Sequence, residues 1–324
     1  MVHKKHWIVM SETNDIIAIG ESLIELSTSE SLTTAKSLDK YYGGDTLTAA
    51  VAALRLGSKV GFISRIGTDC FQEYLLQSWQ KEGLDISQIK PVKGTNGFYM
   101  VSKVQDCSTK EFAYYRKKTA ATNLSIEDIS PEYIQNSSIV YATGMTQSLS
   151  LSAKEAVKFA FETARENNIL TAYDPNFTPL IWSEDEAKEA FEEIAELIDI
   201  IFINAKNDSP VICDFASMDT EIKYLWDRGI GTVIIKSSEE KGYYVGYQGN
   251  IGFVQYYNDN IVDNTGAGDA FNGGVLHGIV AGMPPYKAVN LGSIVAGLQV
   301  QNYGAIKSIP SKDEVYRIFK GQDD

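Results

Sequence analysis

Blocks of apolar and polar residues alternate along this chain in a way that predicts short buried strands separated by amphipathic helices. Apolar runs of strand length cover six segments, at residues 15–20, 59–67, 138–144, 169–176, 200–204 and 232–237. Helical spacing of apolar positions is clearest in the other segments, at 46–57, 70–83, 150–167, 269–282, 285–302 and 311–320. A further helix opens with a capping box, Ser183 followed by Glu186. Strands that alternate with helices favour an α/β fold, a doubly wound and mainly parallel sheet with helices on both faces.

One region, residues 97–117, departs from this alternation. It reads GFYMVSKVQDCSTKEFAYYRK, which predicts two amphipathic strands joined by a polar turn, with no helix between them. A hairpin of this kind within an α/β domain is typical of a lid, an edge extension or a dimer contact. The chain has no Pro- or Ser-rich linker and no internal repeat. We therefore expect one principal domain over 15–324 with a small β appendage, preceded by a loosely ordered extension over 1–14.

Composition and charge narrow the range of partners. The chain has 324 residues and a formal net charge of −13, which argues against nucleic acid or an anionic membrane as the main partner. Near the N-terminus only a four-residue apolar run, WIVM, occurs, which is too short for a signal peptide or a membrane span. Cys70, Cys107 and Cys213 lack metal-ligand spacing and suggest no disulfide framework, as is typical of a cytoplasmic protein. His277 lies inside an apolar helical stretch, so we interpret it as a packed side chain and not as a ligand.

The segment DNTGAGDAFNGG, residues 263–274, places nearly bare backbone immediately before an apolar helix. Its glycines form neither a Walker A loop nor the dinucleotide-binding G-x-G-x-x-G motif. In one interpretation the segment is a tight turn and Asp269 caps the helix. In the other, the N–H groups of Gly266, Ala267 and Gly268 receive a phosphoryl group while Asp269 takes a proton from an attacking hydroxyl. We favour the second interpretation, because it explains why the residues before Asp269 carry almost no side chain.

This segment, extended to DNTGAGDAFNGGVLHGIVAG, resembles the C-terminal signature of the ribokinase-like (PfkB) carbohydrate kinases. Residues 41–69, YYGGDTLTAAVAALRLGSKVGFISRIGTD, resemble the N-terminal signature of the same family, and similarity in kind extends from Asp15 to Tyr316. The resemblance implies an ATP-dependent carbohydrate kinase with a doubly wound α/β domain and a small β lid, here formed by about 22–44 and 96–118. Because lid strands often pair across a dimer in this family, a homodimer is expected by analogy.

The resemblance also implies roles for individual residues. Asp269 is the base that activates the acceptor hydroxyl, and Gly266, Ala267 and Gly268 form the anion hole. Sugar contacts are implied for seven residues, Gly43, Gly44, Asp45, Tyr99, Tyr115, Arg116 and Asp174. Nucleotide contacts are implied for the loop KSSEEKG and its surroundings, at Asn204, Lys236, Ser237, Ser238, Gly242, Gly266, Gly268 and Asn290. ATP is expected together with Mg²⁺, which neutralises the β- and γ-phosphate oxygens.

Three positions depart from the family pattern. NAKN stands where the family has N-x-x-E, so Asn204 matches and Asn207 replaces the glutamate, with Asp208 next to it. Thr48 stands where the family usually has asparagine, and the early substrate aspartate is either Glu25 or absent. These departures leave the metal ligands unassigned. They also keep open a second hypothesis, in which the protein is a catalytically silent relative that binds a sugar or a nucleotide as a sensor. Retention of the base, Asp269, argues against this second hypothesis.

Within the family, EFAYYRKKTAATNLSIEDI is similar to the YYRKGSA stretch of the 2-keto-3-deoxygluconate kinases, which act on an acidic sugar. YATGMTQSLS and DPNFTPLIW resemble the same branch. The resemblance implies that Arg116 binds the substrate carboxylate. The branch usually has a second arginine where this chain has Thr178, a loss for which Lys117 or Lys118 could compensate. The expected substrate is 2-keto-3-deoxygluconate or a related sugar acid, phosphorylated at its terminal hydroxyl, and the alternative is a neutral ketose such as fructose.

Overall fold

Strands and helices alternate through most of the chain in the computed structural model, which describes residues 13–102, 111–213, 215, 217–258 and 260–321. The strands, in chain order, are β1 (Ile16–Ile19), β2 (Leu23–Thr28), β3 (Asp39–Gly43), β4 (Val60–Gly67), β5 (Ile89–Val92), β6 (Gly97–Ser102), β7 (Phe112–Tyr115), β8 (Ile139–Thr143), β9 (Leu170–Asp174), β10 (Ile200–Asn204), β11 (Thr232–Ser237), β12 (Gly242–Tyr247) and β13 (Asn250–Gln255). The α-helices are α1 (Asp45–Leu56), α2 (Gln72–Glu82), α3 (Pro131–Gln135), α4 (Gly144–Gln147), α5 (Leu151–Glu166), α6 (Glu184–Glu192), α7 (Ser209–Ile212), α8 (Met218–Asp227), α9 (Ala267–Val280), α10 (Pro285–Gln299) and α11 (Lys312–Lys320).

Nine of these strands form the main sheet, in the order β13-β12-β11-β10-β9-β8-β1-β4-β5. Neighbouring strands from β11 to β5 are parallel, whereas β12 and β13 are added antiparallel at one edge. The direction of winding reverses at β1, which lies between β4 and β8. In open α/β sheets ligands bind beyond the carboxyl ends of the strands near such a reversal. The segments that follow β8, β9 and β10 therefore mark the expected position of a site.

Side chains of each parallel strand alternate between two hydrophobic clusters, one on each face of the main sheet. Ile16 and Ala18 of β1 belong to the first cluster, which also contains residues of α1, α9, α10 and α11. Ile17 and Ile19 belong to the second cluster, together with residues of α5, α6 and α8. The strands are apolar on both faces because both faces are covered. The prediction of a doubly wound, mainly parallel sheet with helices on both faces is confirmed.

A second sheet carries four strands in the order β3-β2-β6-β7, and we call it the lid sheet. Its strands β6 and β7 pair antiparallel, as the alternation in 97–117 predicted, and β2 joins β6 in parallel register. Leu23, Tyr99 and Val101 form a small hydrophobic cluster on one of its faces. The turn between β6 and β7, with Asp106–Thr109 and Cys107, lies outside the described residues.

The sequence pattern located most helix ends correctly because those ends depend on local chemistry. Gly57 adopts φ 115° after α1, a left-handed conformation that favours glycine and ends the helix. Ser183 and Glu186 form the predicted capping box at the start of α6. Asn14 belongs to the folded domain, since its side chain donates hydrogen bonds to Asp85 Oδ2 at 3.1 Å and Tyr133 Oη at 3.0 Å. The part of the predicted N-terminal extension from 1 to 12 lies outside the described residues.

The hairpin β12-β13 was not predicted, because glycines interrupt its apolar alternation. A Cβ on Gly246 would lie 2.4 Å from Ile222 Cγ2, and one on Gly252 would lie 2.5 Å from Tyr286 Cε1. Side chains from α8 and α10 thus fill the space that side chains of the strands would otherwise occupy. The resulting sequence lacks the period of two by which a strand is recognised.

Candidate active site

Polar residues from three parallel strands meet at one end of the main sheet. Asp174 ends β9, Asn204 ends β10, and Lys236 lies one residue before the end of β11. The segment Gly266–Gly268, which we call the glycine loop, leads into α9 beside them. The carboxyl ends of parallel strands lie at the same edge of a sheet, so residues far apart in the sequence converge there.

Two cavities meet at this end of the sheet. The helix-side cavity, about 380 Å³, lies next to α10 and is lined by residues such as Lys236, Tyr243 and Ser293. The lid-side cavity, about 730 Å³, lies below the lid sheet. Five residues line both cavities, Asn176, Asn207, Asn264, Gly266 and Asp269. A group that passes from a ligand in one cavity to a ligand in the other would pass these residues.

The glycine loop has the backbone geometry of an anion site. Gly266 adopts φ 75°, a conformation that favours glycine, and a Cβ there would lie 3.0 Å from Ala305 Cβ, a tight contact. Gly266 also occupies the N-cap position of α9 and provides no side-chain cap for the first N–H groups of the helix. Asp269 is not the N-cap residue but lies in the first turn of α9, where an acid also favours the helix. The positive end of a 14-residue helix is suited to bind phosphate, and one of its first N–H groups, that of Ala267, also donates to the Asn264 carbonyl at 3.2 Å.

Asp269 lies at the junction of the two cavities, and its surroundings favour the protonated form. Asn176 Nδ2 donates a hydrogen bond to Asp269 Oδ1 at 3.2 Å. Desolvation by the surrounding protein raises the pKa of Asp269 well above 3.8, and the carboxylates of Asp45 and Asp174 raise it further against the opposing charge of Lys236. A carboxylate with a raised pKa is a stronger base, as the abstraction of a hydroxyl proton requires.

Lys236 is held in place by a buried network. Its Nζ donates to Asp174 Oδ2 at 2.6 Å, and the same oxygen accepts a hydrogen bond from Asn272 Nδ2 at 2.6 Å. Asn272 also donates to Tyr141 Oη at 3.0 Å, which ties the network to β8. Burial acts to lower the pKa of Lys236, but the carboxylates of Asp174 and Asp208 outweigh it, so the pKa is raised. Lys236 is therefore a fixed positive charge beside the glycine loop.

Asp208, next to the position where the family has glutamate, is fully buried and organises the loops around the helix-side cavity. Its carboxylate accepts hydrogen bonds from Phe177 N at 2.8 Å and Asn204 N at 2.7 Å. Asn204 Oδ1 in turn accepts from the backbone N–H groups of Lys206 and Asn207, at 2.9 and 3.1 Å. Desolvation and the charge of Asp174 raise the pKa of Asp208 to about 7. Asn204 thus lines the helix-side cavity and also shapes the turn that follows it.

The lid-side cavity contains several of the residues predicted to contact sugar. Gly44, Asp45 and Tyr99 line it, and Asp45 accepts a hydrogen bond from Thr143 Oγ1. Tyr99 Oη donates to Glu25 Oε2 at 2.7 Å within the lid sheet. Burial raises the pKa of Asp45, although its hydrogen bond to Thr143 opposes this. The cavity therefore presents both carboxylate and hydroxyl groups, the usual partners of sugar hydroxyls.

Tyr115 and Arg116 do not line the lid-side cavity. Tyr115 is 52% exposed and its ring stacks on Phe98, with 4.6 Å between the ring centroids, on the opposite face of β7 from Tyr114. Strand alternation places Tyr114 in this cavity and Tyr115 outside it, so the sugar contact of Tyr115 stays a prediction that this cavity does not support. Arg116 is buried, forms an ion pair with Glu21 and borders a third cavity behind the lid.

The ion pair of Arg116 occupies the guanidinium that was expected to bind a substrate carboxylate. Arg116 also donates to Ser148 Oγ at 3.0 Å and to the Met145 carbonyl at 2.8 Å. Burial raises the pKa of Glu21 to about 7 while the Arg116 charge opposes that rise. Arg116 thus joins the lid to α4 and to Glu21 in the segment that follows β1, and direct binding of a substrate would require this pairing to change.

Five other predicted residues are placed differently from expectation. Asp174 lines the helix-side cavity and not the lid-side one, because it holds Lys236. Gly43, Ser237, Gly242 and Asn290 line neither cavity. A Cβ on Gly43 would lie 2.9 Å from Tyr99 Oη, so this glycine makes room for the tyrosine. The Ser237 side chain hydrogen-bonds to Glu240. Helix α10 borders the helix-side cavity through Ser293, Ala296 and Gly297, and Asn290 of the same helix does not line it. Ala267, Gly268 and Ser238 line the helix-side cavity, and their contacts with a nucleotide stay predictions.

Three residues at the site were missed in the sequence. Asn176 contacts Asp269 and adopts φ 43°, a conformation that asparagine tolerates better than most residues. Its place directly after a strand, in DPNF, was the available signal. Tyr114 could have been found by extending the alternation from Tyr99 across the hairpin, since the two are paired in register. Lys206 lies within NAKN, but nothing in the sequence indicates which cavity it lines.

Comparison with known proteins gives consistent matches over nearly the whole chain. The family described as pfkB family carbohydrate kinase matches residues 8–312. A 2-dehydro-3-deoxygluconokinase of Bacillus subtilis (strain 168) is 27% identical over 314 residues, covering 95% of this chain and 96% of the relative. A 5-dehydro-2-deoxygluconokinase of the same organism is 26% identical over 318 residues, again covering 95% of this chain and 96% of the relative.

Solved structures resemble the fold closely. A candidate ribokinase II from E. coli, in complex with ATP and Mg²⁺, superposes with a TM-score of 0.86 at 22% identity. The superposition covers 95% of this chain and 99% of that one. At this identity the likeness supports the fold, a nine-stranded sheet with a four-stranded lid sheet.

Two features are absent from the part of the chain that the structure describes. In that part of the chain, no group of three or more His, Cys, Asp or Glu side chains is arranged to hold a metal ion. No helix there is both long and apolar enough to cross a membrane.

Proposed function

Because this chain belongs to the pfkB family of carbohydrate kinases, we propose that it transfers the γ-phosphoryl group of ATP to the terminal hydroxyl of 2-keto-3-deoxygluconate (also called 2-dehydro-3-deoxygluconate) or a related sugar acid. The observation that carries the proposal is the position of Asp269 and Gly266 where the two cavities meet. ATP would occupy the helix-side cavity and the sugar acid the lid-side cavity, so the transferred group would cross the glycine loop.

The residues at the junction have distinct parts in this reaction. The sugar hydroxyl lies near Asp269, which accepts its proton as the oxygen attacks the γ-phosphorus. The N–H groups of the glycine loop and the ammonium of Lys236 stabilise the negative charge on the transferred phosphoryl group. Asn176 orients the Asp269 carboxylate through their 3.2 Å hydrogen bond. The lid sheet covers the sugar and excludes water, which suppresses hydrolysis of ATP.

The residues of the helix-side cavity fit a nucleotide. Tyr243, Tyr256 and Ala296 offer apolar surface for a base, while the glycine loop and Lys236 offer positive character for the phosphates. Mg²⁺, when bound with ATP, would neutralise charge on the β- and γ-phosphate oxygens. Asn207 and Asp208 lie beside the cavity, and Mg²⁺ commonly needs only one or two protein carboxylates because phosphates and water complete its coordination.

Two lines of support favour a sugar acid as the acceptor. Both of the curated relatives described above are named as kinases of dehydro-deoxygluconate, a class of sugar acids. The segment that resembles the 2-keto-3-deoxygluconate kinases, EFAYYRK, forms strand β7 and its continuation, at the border of the lid-side cavity. The second candidate is a neutral ketose such as fructose. It is favoured by the Glu21–Arg116 ion pair, which already neutralises the expected carboxylate-binding arginine.

Replacement of the base tests the kinase mechanism. We expect Asp269→Asn to lower kcat by about 10²–10⁴-fold or more, because the amide cannot accept the hydroxyl proton. ATP affinity, measured by calorimetry, should change little, because Asp269 acts on the acceptor. Asp313→Asn, at an exposed acid on α11, is the matched control and should retain full activity. Near-normal turnover of Asp269→Asn would contradict the assignment of Asp269 as the base. Lack of turnover in wild type, with every sugar tested, would instead revive the catalytically silent alternative.

A substrate panel tests the acceptor. ADP release is measured with 2-keto-3-deoxygluconate, 5-keto-2-deoxygluconate and fructose under identical conditions. We expect kcat/KM to be highest for a sugar acid. A preference for fructose of tenfold or more would overturn the acidic substrate and leave the kinase assignment in place.

A further inference from the structure

Lys206 lies in the turn between β10 and α7 and lines the lid-side cavity. The turn is held by Asn204, whose Oδ1 accepts hydrogen bonds from the N–H groups of Lys206 and Asn207. Asn204 in turn donates its own N–H to the buried carboxylate of Asp208. The backbone from which the Lys206 side chain extends is therefore fixed to the end of a buried strand.

The lid-side cavity has an unusual charge balance for a site that receives an anion. Among the described residues that line it, Lys206 is the one that carries a positive charge, whereas Asp45 and Asp269 carry carboxyl groups. The whole chain has a formal net charge of −13, so its overall field also repels an anionic substrate. A sugar acid therefore needs a cation within the cavity.

The other cations considered from the sequence are poorly placed for this task. Arg116 is paired with Glu21 and borders the third cavity, behind the lid. Lys117 and Lys118 border that third cavity too and do not line the lid-side one. Thr178, at the place of the second arginine, lines neither the lid-side nor the helix-side cavity. Lys206 alone, among these described residues, combines a positive charge with a position on the lid-side cavity.

We propose that Lys206 binds the carboxylate of the acidic sugar and sets the preference of this kinase for acidic over neutral sugars. The inference rests on the proposed function, since it assumes that the substrate is a sugar acid. An ammonium on a flexible stem can follow the carboxylate as the lid closes. Closure of the lid removes water from around the Lys206 ammonium and the substrate carboxylate. Their attraction is then stronger than that of an ion pair on an open surface.

The experiment compares Lys206→Met with Lys117→Met, two variants that remove one lysine charge each and retain a side chain of similar length. Steady-state kinetics are measured with 2-keto-3-deoxygluconate, with fructose and with ATP. We expect Lys206→Met to raise KM for the sugar acid about tenfold with little change in kcat, as the loss of a hydrogen-bonded charge implies. Lys117→Met should keep the wild-type KM. Lys206→Arg should restore most of the affinity because it restores the charge.

Three results would overturn the inference. If wild type prefers the sugar acid and Lys206→Met keeps the same preference, the role of Lys206 is refuted and the proposed function is left intact. Equal loss of kcat for acid and neutral sugars, or a raised KM for ATP, would show that Lys206 acts on the phosphoryl group instead. Wild type that prefers fructose would refute the acidic substrate itself, and this outcome is recognised without any variant.

Discussion

At the scale of single residues, the site depends on carboxyl groups crowded near one another. Burial raises the pKa of Asp269, the nearby carboxylates of Asp45 and Asp174 raise it further, and the charge of Lys236 offsets this only in part. This crowding keeps the base strong and also makes its protonation sensitive to its neighbours. The same crowding explains why Lys236 stays charged despite its burial.

This environment predicts a shifted pH dependence. Because Asp269 must be deprotonated to act, kcat/KM should fall as the pH drops through its raised pKa, well above the ordinary range of about 4 for aspartate. Asp45→Asn removes a negative neighbour, lowers the pKa of Asp269 and should move this acidic limb to lower pH. The measurement is kcat/KM as a function of pH, between about pH 5 and about pH 8, for wild type, Asp45→Asn and the surface control Asp313→Asn. An unmoved limb in Asp45→Asn would show that another group controls it.

At the scale of elements, the period of two in β7 decides which aromatic side chain faces the lid-side cavity. Tyr114 lines the lid-side cavity, whereas Tyr115 stacks on Phe98 at the outer face. Burial raises the pKa of Tyr114 to about 12, so its hydroxyl remains protonated and able to donate a hydrogen bond. Substitution of Tyr115 is therefore a matched control for substitution of Tyr114, because the two tyrosines are adjacent in one strand and face opposite sides of it.

We expect Tyr114→Ala to raise KM for the sugar by about 2- to 10-fold, because it removes aromatic contact and a hydroxyl from the cavity. Tyr115→Ala should leave KM close to the wild-type value. Steady-state kinetics at saturating ATP measure both, and thermal unfolding checks that each variant is folded. A larger effect of Tyr115→Ala than of Tyr114→Ala would show that the register of β7 differs in solution.

At the scale of the whole molecule, buried side chains join the first and last parts of the chain. His277 of α9 lies between Ser58 Oγ at 2.7 Å, just after α1, and Tyr316 Oη at 2.8 Å in α11. The interpretation of His277 as a packed side chain is therefore correct. Burial, and then the nearby charge of Lys312, lower the pKa of His277 to about 4. The folded protein thus holds this imidazole neutral at pH values where the unfolded chain binds a proton.

The consequence is a loss of stability in mild acid. Between the unfolded pKa of 6.5 and the folded value of about 4, the unfolded state binds more protons, so the free energy of unfolding falls as the pH falls. When the pH falls from about 6.5 to about 5.5, the free energy of unfolding of wild type should decrease by about 1 kcal/mol more than that of His277→Gln. Urea unfolding of both proteins at a series of pH values measures this difference. Parallel pH dependence of the two would contradict the neutral, buried state of His277.

Local chemistry was sufficient for much of this architecture. Apolar runs predicted the strands, and the glycine at 57 and the Ser183–Glu186 box predicted helix ends. The glycines at 266 and 268 marked the candidate anion loop. Each of these depends on residues within a few positions of one another, where backbone conformation and side-chain period act directly. The identity of Asp269 as the candidate base came from the same short range.

Only the tertiary structure decided which side chains share the site. The pairing of Arg116 with Glu21 joins residues 95 positions apart, from 116 to 21, and the contact of Asn176 with Asp269 spans 93 positions. Likewise the register of β6 with β7 selects Tyr114 over Tyr115, and the turn after β10 brings Lys206 to the lid-side cavity. Local period and composition do not determine such contacts, because charge pairing and cavity shape depend on how distant strands are ordered in the sheets.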